Sequence, residues 1–365
     1  MILRAPLLYA AAAAAVVATA TAAAAAAAAN PVYTRDTFNV STISNLTYAQ
    51  GVSCRGGDPY NASSCRGVVD LLLDVYLPAA RDGGPPAPAL KPALVLAHGG
   101  GNDAGSKEEL CLQASAAFFA ARGFAVFNID YRLAGDHGLL PPKAPAAADA
   151  DNARGARPPL ADWTPTWESG YPATRDLKAA VRFVRARAAL FGVDGGRIAV
   201  SGGSAGATNA LAAAAAFETD YFRELSAEAD PTLASTNPEV SSAVQAAYLH
   251  WSSDGEVLLP QQHDPLNRTR YSPASAPVIE FHGDADPLIN ISHAYAVRAA
   301  YARVGVPYEL VTLAGCKHSA WCYDGKGHCS DSCPMGGNTT DGYDPTMDTI
   351  ALPVLARFMN LTLEP

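Results

Sequence analysis

Runs of strand character alternate with helical stretches along most of this chain. Residues 68–77, Val-Val-Asp-Leu-Leu-Leu-Asp-Val-Tyr-Leu, form a β run closed by Pro78 and a Gly/Pro-rich turn that extends to 92. Residues 93–97 are continuously apolar, as a parallel strand buried on both faces requires, and they run directly into His98-Gly99-Gly100-Gly101. A helical pattern over 107–122 is stopped by Gly123, and 124–129 is the next strand. Residues 172–191 place Leu177, Ala180, Val181, Val184 and Ala188 on one helical face, with Gly192 as the stop. Further strands are expected at 241–249, 277–281 and 308–313, a helix from 288 to about Arg303, and a closing helix at 349–360. Strands alternating with helices in this way predict an α/β fold, a mostly parallel central sheet covered by helices on both faces.

Three stretches interrupt the pattern. Residues 30–67 are polar and read as a loop-like N-terminal extension. Residues 134–170 are rich in Pro, Ala, Gly and Asp and read as a lid-like insertion, and 314–345 read as a Cys-rich loop. The main domain is therefore expected over 68–365. Residues 1–29 carry one cation, Arg4, followed by an apolar, alanine-rich run with candidate small-residue cleavage points after Ala20 and Ala29. This is the pattern of a secretory signal peptide; left uncleaved, the same segment would serve as a membrane anchor.

The sharpest chemistry lies at 197–215. Ile198 and Val200 have strand character, glycines crowd around Ser204, and an Ala/Leu-rich helix former follows without a break. Gly202, Ser204 and Gly206 spell G-x-S-x-G, whose small residues allow a strained strand-to-helix turn that exposes the serine hydroxyl. The same stretch lacks the Lys-Ser or Lys-Thr of a P-loop, and Ser204 stands where G-x-G-x-x-G needs a glycine. A serine alcohol needs a base, an orienting acid and donors for an oxyanion. His318 follows the 308–313 strand and Asp286 follows the 277–281 strand, with Asp284 as an alternative acid. Gly100 and Gly101, at the end of a buried strand, offer bare amides for the oxyanion.

Taken together, His98-Gly99-Gly100-Gly101, Asp130-Tyr131-Arg132-Leu133, Asp176-Leu177-Lys178-Ala179-Ala180, Gly202 to Gly206, His282-Gly283 with Asp286-Pro287-Leu288, and His318 resemble the α/β-hydrolase superfamily. Within it the likeness is to carboxylesterases of the hormone-sensitive-lipase and feruloyl-esterase-like groups. That resemblance implies the α/β-hydrolase fold, a Ser204-His318-Asp286 triad, and an oxyanion hole of the Gly100, Gly101 and Ala205 amides. The chain departs from the hormone-sensitive-lipase pattern at Gly203, where those relatives usually carry an acid, and after Leu133.

Composition narrows the function. A net charge of −9, with acids scattered along the chain, gives no basic face for nucleic acid. Seven N-x-S/T sequons, at Asn39, Asn45, Asn61, Asn267, Asn290, Asn338 and Asn360, and seven cysteines fit a secreted glycoprotein. Cys54 and Cys65 suit a local disulfide; Cys316, Cys322, Cys329 and Cys333 suit disulfides of undecided pairing more than a zinc site, because no C-x-x-C knuckle occurs among them. Cys111 is left over and expected to be a buried free thiol. Trp163, Trp167, Trp251 and Trp321 are candidates to line an aromatic-tolerant pocket. The expected function is a secreted serine esterase acting on small-molecule carboxylic esters through an acyl-enzyme, with no cofactor and no metal. The alternatives are a peptidase or lipase using the same relay, or a catalytically silent binding or adhesion module.

Overall fold

A computed structural model describes residues 33, 35–141, 167–262, 264–318, 320–321 and 343–361. The leader at 1–29, Trp163 with most of the 134–170 insertion, and Cys322, Cys329, Cys333 and Asn338 lie outside the described residues.

Among the described residues eight strands form one sheet: β1 Asn39–Ser53, β2 Gly67–Ala79, β3 Lys91–Ala97, β4 Ala125–Ile129, β5 Val193–Gly203, β6 Ala246–His250, β7 Val278–Gly283 and β8 Tyr308–Leu313. Their order is β1-β2-β4-β3-β5-β6-β7-β8. The first two strands join antiparallel, and every pair from β4 through β8 is parallel. Helices α1 Leu110–Ala120, α2 Trp167–Ala186, α3 Ala188–Phe191, α4 Ala205–Ala215, α5 Gly255–Gln262, α6 Ser292–Val304 and α7 Thr346–Phe358 connect and cover the strands.

The alternation of side chains along β3 divides the core in two. Ala93, Val95 and Ala97 join the face covered by α2 and α4, with Leu177, Val181, Val184 and Leu211. Leu94 and Leu96 join the opposite face, covered by α1 and α7 with Phe119, Leu352 and Leu355. Because both faces are filled, β3, β4 and β6 carry no polar alternation.

Three expectations are corrected here. The stretch expected to be a loop-like extension contains β1, a fifteen-residue edge strand paired along its length with β2. Its register shifts between Ile43 and Leu46 and between Thr47 and Ala49, and most of its outer positions are solvated, so neither alternation nor an apolar run marks it in the sequence. Cys111 is disulfide-bonded, as is Cys316, so the expected free thiol does not exist. Helix α1 packs in the same apolar cluster as the Cys316 turn and Trp321, a tertiary proximity that linear spacing does not encode. The Cys54–Cys65 bridge forms as its spacing suggests. The end of the 134–170 insertion is helical rather than irregular, since residues 167–170 open α2.

One buried ion pair ties the sheet to its covering helix beside the site. Arg132, just past β4, meets Asp176 of α2 through Nε to Oδ2 at 2.9 Å and Nη2 to Oδ1 at 2.7 Å, and donates to the Val52 carbonyl of β1 at 3.0 Å. Both side chains are about 97% buried, with relative exposures of 2% and 3%. Removing one partner leaves an uncompensated charge inside the protein. Asp176→Ala is therefore expected to lower unfolding stability by about 3–5 kcal/mol in chemical denaturation. Glu309→Ala, which breaks the exposed Arg357–Glu309 pair, is expected to change it by less than about 1 kcal/mol.

Candidate active site

The site forms where β3, β5, β7 and β8 end on one edge of the sheet. Strand β5 stops at Gly203, and α4 begins at Ala205, leaving Ser204 alone at the corner with φ 56° and ψ −122°. A non-glycine residue in that region carries strain of order 1–3 kcal/mol, held here by the surrounding packing. The Ser204 amide donates to the His250 carbonyl at 3.0 Å, and the Ser204 carbonyl accepts from Thr208 N–H at 2.9 Å.

The flanking glycines are required by contact. A Cβ on Gly202 would lie 2.6 Å from the Ala97 carbonyl oxygen, and one on Gly206 would lie 2.2 Å from that oxygen and 2.4 Å from the His98 oxygen. Helix α4 therefore presses its first turn against the end of β3, and only hydrogen fits between them. A Cβ on Gly203 would stand 2.8 Å from the Trp321 ring. That contact accounts for the departure noted at this position: the indole occupies the space an acidic side chain would need.

The three residues singled out as a triad meet. His318 Nε2 is 2.9 Å from Ser204 Oγ, and His318 Nδ1 is 2.7 Å from Asp286 Oδ2. With Nδ1–H donating to the carboxylate, Nε2 is the lone-pair nitrogen facing the hydroxyl, which is the tautomer a general base needs. The second oxygen of Asp286 accepts from the Leu288 and Ile289 amides at 2.8 and 3.0 Å, so the carboxylate is fixed at both ends. Asp284 is exposed and accepts instead from Gly315 N–H at 2.6 Å, away from the imidazole.

A second buried histidine stands behind the acid. His282 contacts Glu280 through Nδ1 at 2.9 Å and donates from Nε2 to the Ile289 carbonyl at 2.8 Å, with Asp286 Oδ2 3.7 Å away. Burial lowers its pKa, but Glu280 and Asp286 outweigh it and the net shift is upward. Two other histidines near Ser204 are kept neutral by burial: His98 is pushed down to about 4 and His250 to about 3. His98 donates from Nδ1 to the Gly99 carbonyl at 2.8 Å and stacks on Tyr131 at 4.1 Å.

Gly100 and Gly101 have φ of 94° and 69°, conformations that glycine adopts freely. With Ser204 and His318 they line a cavity of about 390 Å³, of a size that takes a small ligand. Ala205 is the first residue of α4, where helix amides have no intrahelical partner. Trp251, Trp321, Leu288 and Ile289 give the cavity an apolar wall. Of the tryptophans considered, these two line it; Trp163 and the Trp167 side chain lie outside the described residues.

Glu109 and Asp103 also line the cavity, and neither was singled out from the sequence. Burial pushes the Glu109 carboxyl up to about 7, and its Oε1 is sealed without a hydrogen-bond partner. An acid just before a helix reads in sequence as dipole compensation, which hides its place in the cavity. Among the described residues no cluster of three or more His, Cys, Asp or Glu side chains is arranged to hold a metal ion.

Comparison with known proteins agrees with this architecture. Residues 163–328 match the model of the prolyl oligopeptidase family, a span that holds Ser204, Asp286 and His318 but not the glycine loop after β3. No curated protein matches the chain. Among solved structures, Thermogutta terrifontis esterase 2 phosphorylated by paraoxon is similar at 23% identity and TM-score 0.55, over 81% of this chain and 92% of that one. The same esterase phosphoramylated by tabun is similar at 24% identity and TM-score 0.55 over the same shares. Its propionate-bound form is similar at 23% identity and TM-score 0.52, over 81% and 93%. The chain has the α/β-hydrolase fold, an open, mostly parallel eight-stranded sheet between helices.

The contact at Gly206 gives a direct test of how the corner at Ser204 is built. Gly206→Ala forces a methyl group into two backbone carbonyls, so thermal or denaturant unfolding is expected to show a loss of about 3 kcal/mol or more. A change below about 0.5 kcal/mol would mean that α4 can move off β3.

Proposed function

We propose that this α/β-hydrolase is a secreted serine carboxylesterase that cleaves small and medium carboxylic esters through a Ser204 acyl-enzyme. One observation carries the reading: the continuous Ser204–His318–Asp286 hydrogen-bond chain opens into an apolar cavity walled by the glycine loop.

In this mechanism Ser204 Oγ attacks the ester carbonyl carbon while His318 Nε2 takes the hydroxyl proton. Asp286 holds the imidazole tautomer and offsets the positive charge that forms on it. The carbonyl oxygen becomes an oxyanion, met by the amides of Gly100, Gly101 and Ala205. One such donor contributes about 3–4 kcal/mol of transition-state stabilisation. The tetrahedral adduct then breaks its bond to the alcohol oxygen, which leaves with the proton from His318. Water enters and attacks the acyl carbon as His318 takes its proton; the second tetrahedral adduct then breaks its bond to Ser204 Oγ, which takes the proton back from His318 as the acid leaves.

The choice of ester over peptide is supported by the cavity's apolar wall and by structural neighbours that are esterases across most of the chain. The prolyl oligopeptidase family match supports the second reading, a serine peptidase with the same relay. Secretion is supported by the Cys54–Cys65 bridge and by the exposure of the sequon residues Asn39, Asn45, Asn61, Asn267, Asn290 and Asn360.

Ser204→Ala is expected to reduce hydrolysis of p-nitrophenyl butyrate at least about 10⁴-fold with its unfolding transition retained. Unchanged turnover would end the proposal. Faster cleavage of a prolyl peptide anilide than of any ester in an acetate-to-octanoate panel would replace it with the peptidase reading. Treatment of the secreted protein with an endoglycosidase is expected to lower its mass; an unchanged mass would remove the glycoprotein part of the proposal.

A further inference from the structure

The glycine loop is anchored by a buried polar chain that the chemistry above does not use. Asn102 follows Gly101 with φ 58° and is fully buried, so its side-chain amide is cut off from water. Its Nδ2 donates to Glu256 Oε1 of α5 at 3.3 Å, and its Oδ1 accepts from Asn209 Nδ2 of α4 at 2.9 Å. Asn209 Oδ1 in turn accepts from Thr174 Oγ1 of α2 at 2.9 Å. The Asn102 carbonyl accepts from Ala134 N–H at 2.8 Å. Asn102, Asn209, Thr174 and Glu256 are each 0% exposed.

Glu256 is the unusual member. A fully buried carboxyl is tolerated when it is neutral or paired with a cation, and none of the groups acting on this one is a cation. The titratable groups around it are Asp254 at the head of its own helix, Tyr221 after α4, whose hydroxyl donates to the Glu256 carbonyl, and Tyr131 past β4. His293 of α6 is engaged with Asp254 at 3.2 Å. On α2, Gly170 leaves room for the carboxyl, since a Cβ there would lie 2.9 Å from Oε1. Oε2 is sealed with no partner.

We infer that Glu256 is a positioning residue for the oxyanion loop, acting through the Asn102 amide that it locks against the nucleophile helix. The inference rests on the reading of Ser204 as nucleophile and of Gly100 and Gly101 as oxyanion donors. Asn102 is held from two sides, by α5 and by α4, so the two preceding glycines are fixed relative to the turn that carries Ser204. Loss of the acceptor leaves Asn102 Nδ2 buried and unpaired and frees the loop to shift. A displacement near 1 Å at such a site can reduce the rate by about 10²-fold. Burial pushes the Glu256 carboxyl up to about 8. It is therefore neutral below that pH, and at higher pH it places a negative charge behind the loop that must stabilise an anion. Activity thus falls as pH rises through about 8.

The test compares Glu256→Leu, Glu256→Gln and Asn102→Ala with wild type on p-nitrophenyl butyrate from pH 6 to 10, with folding followed by circular dichroism. Glu256→Leu is expected to lower kcat about 10- to 100-fold with KM changed less than about 3-fold. Glu256→Gln keeps an acceptor for Asn102 and cannot ionise, so it is expected to recover most of the kcat lost in the leucine variant and to abolish the fall near pH 8. The Glu256→Leu/Asn102→Ala double variant is expected to be little worse than either single variant. An alkaline limb unchanged in Glu256→Gln, additive losses in the double variant, or a leucine variant that is folded and fully active would each overturn the inference. A fluorophosphonate probe that labels wild type but not Ser204→Ala keeps such a failure separate from a failure of the esterase reading.

Discussion

The close approach of α4 to the end of β3 is the constraint on which the rest of the site depends. At Gly202 and Gly206 the backbone of one segment meets the carbonyls of another at distances that exclude a methyl group. Ser204 is therefore forced into its left-handed corner, and the glycine loop leaving β3 passes directly beside it. The Ser204 hydroxyl and the glycine-loop amides are set relative to each other first by backbone packing at the ends of buried strands, and the Asn102 side chain, bonded to Glu256 and Asn209, adds a second hold on the loop. The parallel register of β3 with β5, Ala97 opposite Gly202, delivers both segments to the same edge.

Around that corner the protein separates charge from neutrality. Asp286 is pinned by two amides and faces His318, while His282, held by Glu280, stands behind it with its pKa shifted upward by its carboxylate neighbours. His98 and His250 are neutral because they are buried without a carboxylate partner. Glu256 and Glu109 are pushed toward neutrality by the same desolvation. The Asp286–His318–Ser204 hydrogen-bond chain thus runs beside buried groups that desolvation pushes toward their neutral forms.

Much of this was readable from the chain alone, for physical reasons. A doubly buried stretch such as 93–97 has to be apolar throughout, and the strand-to-helix corner has to be built from small residues, so both leave plain marks. Asp286 and His318 were found because each follows a strand, and strand ends converge in a parallel sheet. The parts that were missed depend on tertiary contact. Strand β1 is solvated along its outer edge and broken by bulges, so it lacks both patterns. Cys111 was read from its helix alone, whereas its sulfur is committed to a disulfide. Arg132 and Asp176 belong to separate motifs, and nothing in either announces that they form one buried pair. Glu256 carries no motif in the sequence, and its value comes only from facing Asn102, 154 residues earlier in the chain.

The central claim is that Ser204 is the nucleophile of a working relay, and covalent trapping tests it most directly. The purified protein would be incubated with a dialkyl organophosphate such as paraoxon, digested, and the modified peptide sequenced by mass spectrometry. The account predicts one phosphoryl adduct, on Ser204, formed in step with loss of esterase activity and absent after unfolding. Esterase activity that survives complete labelling, or an adduct on a different residue while Ser204 stays free, would contradict it.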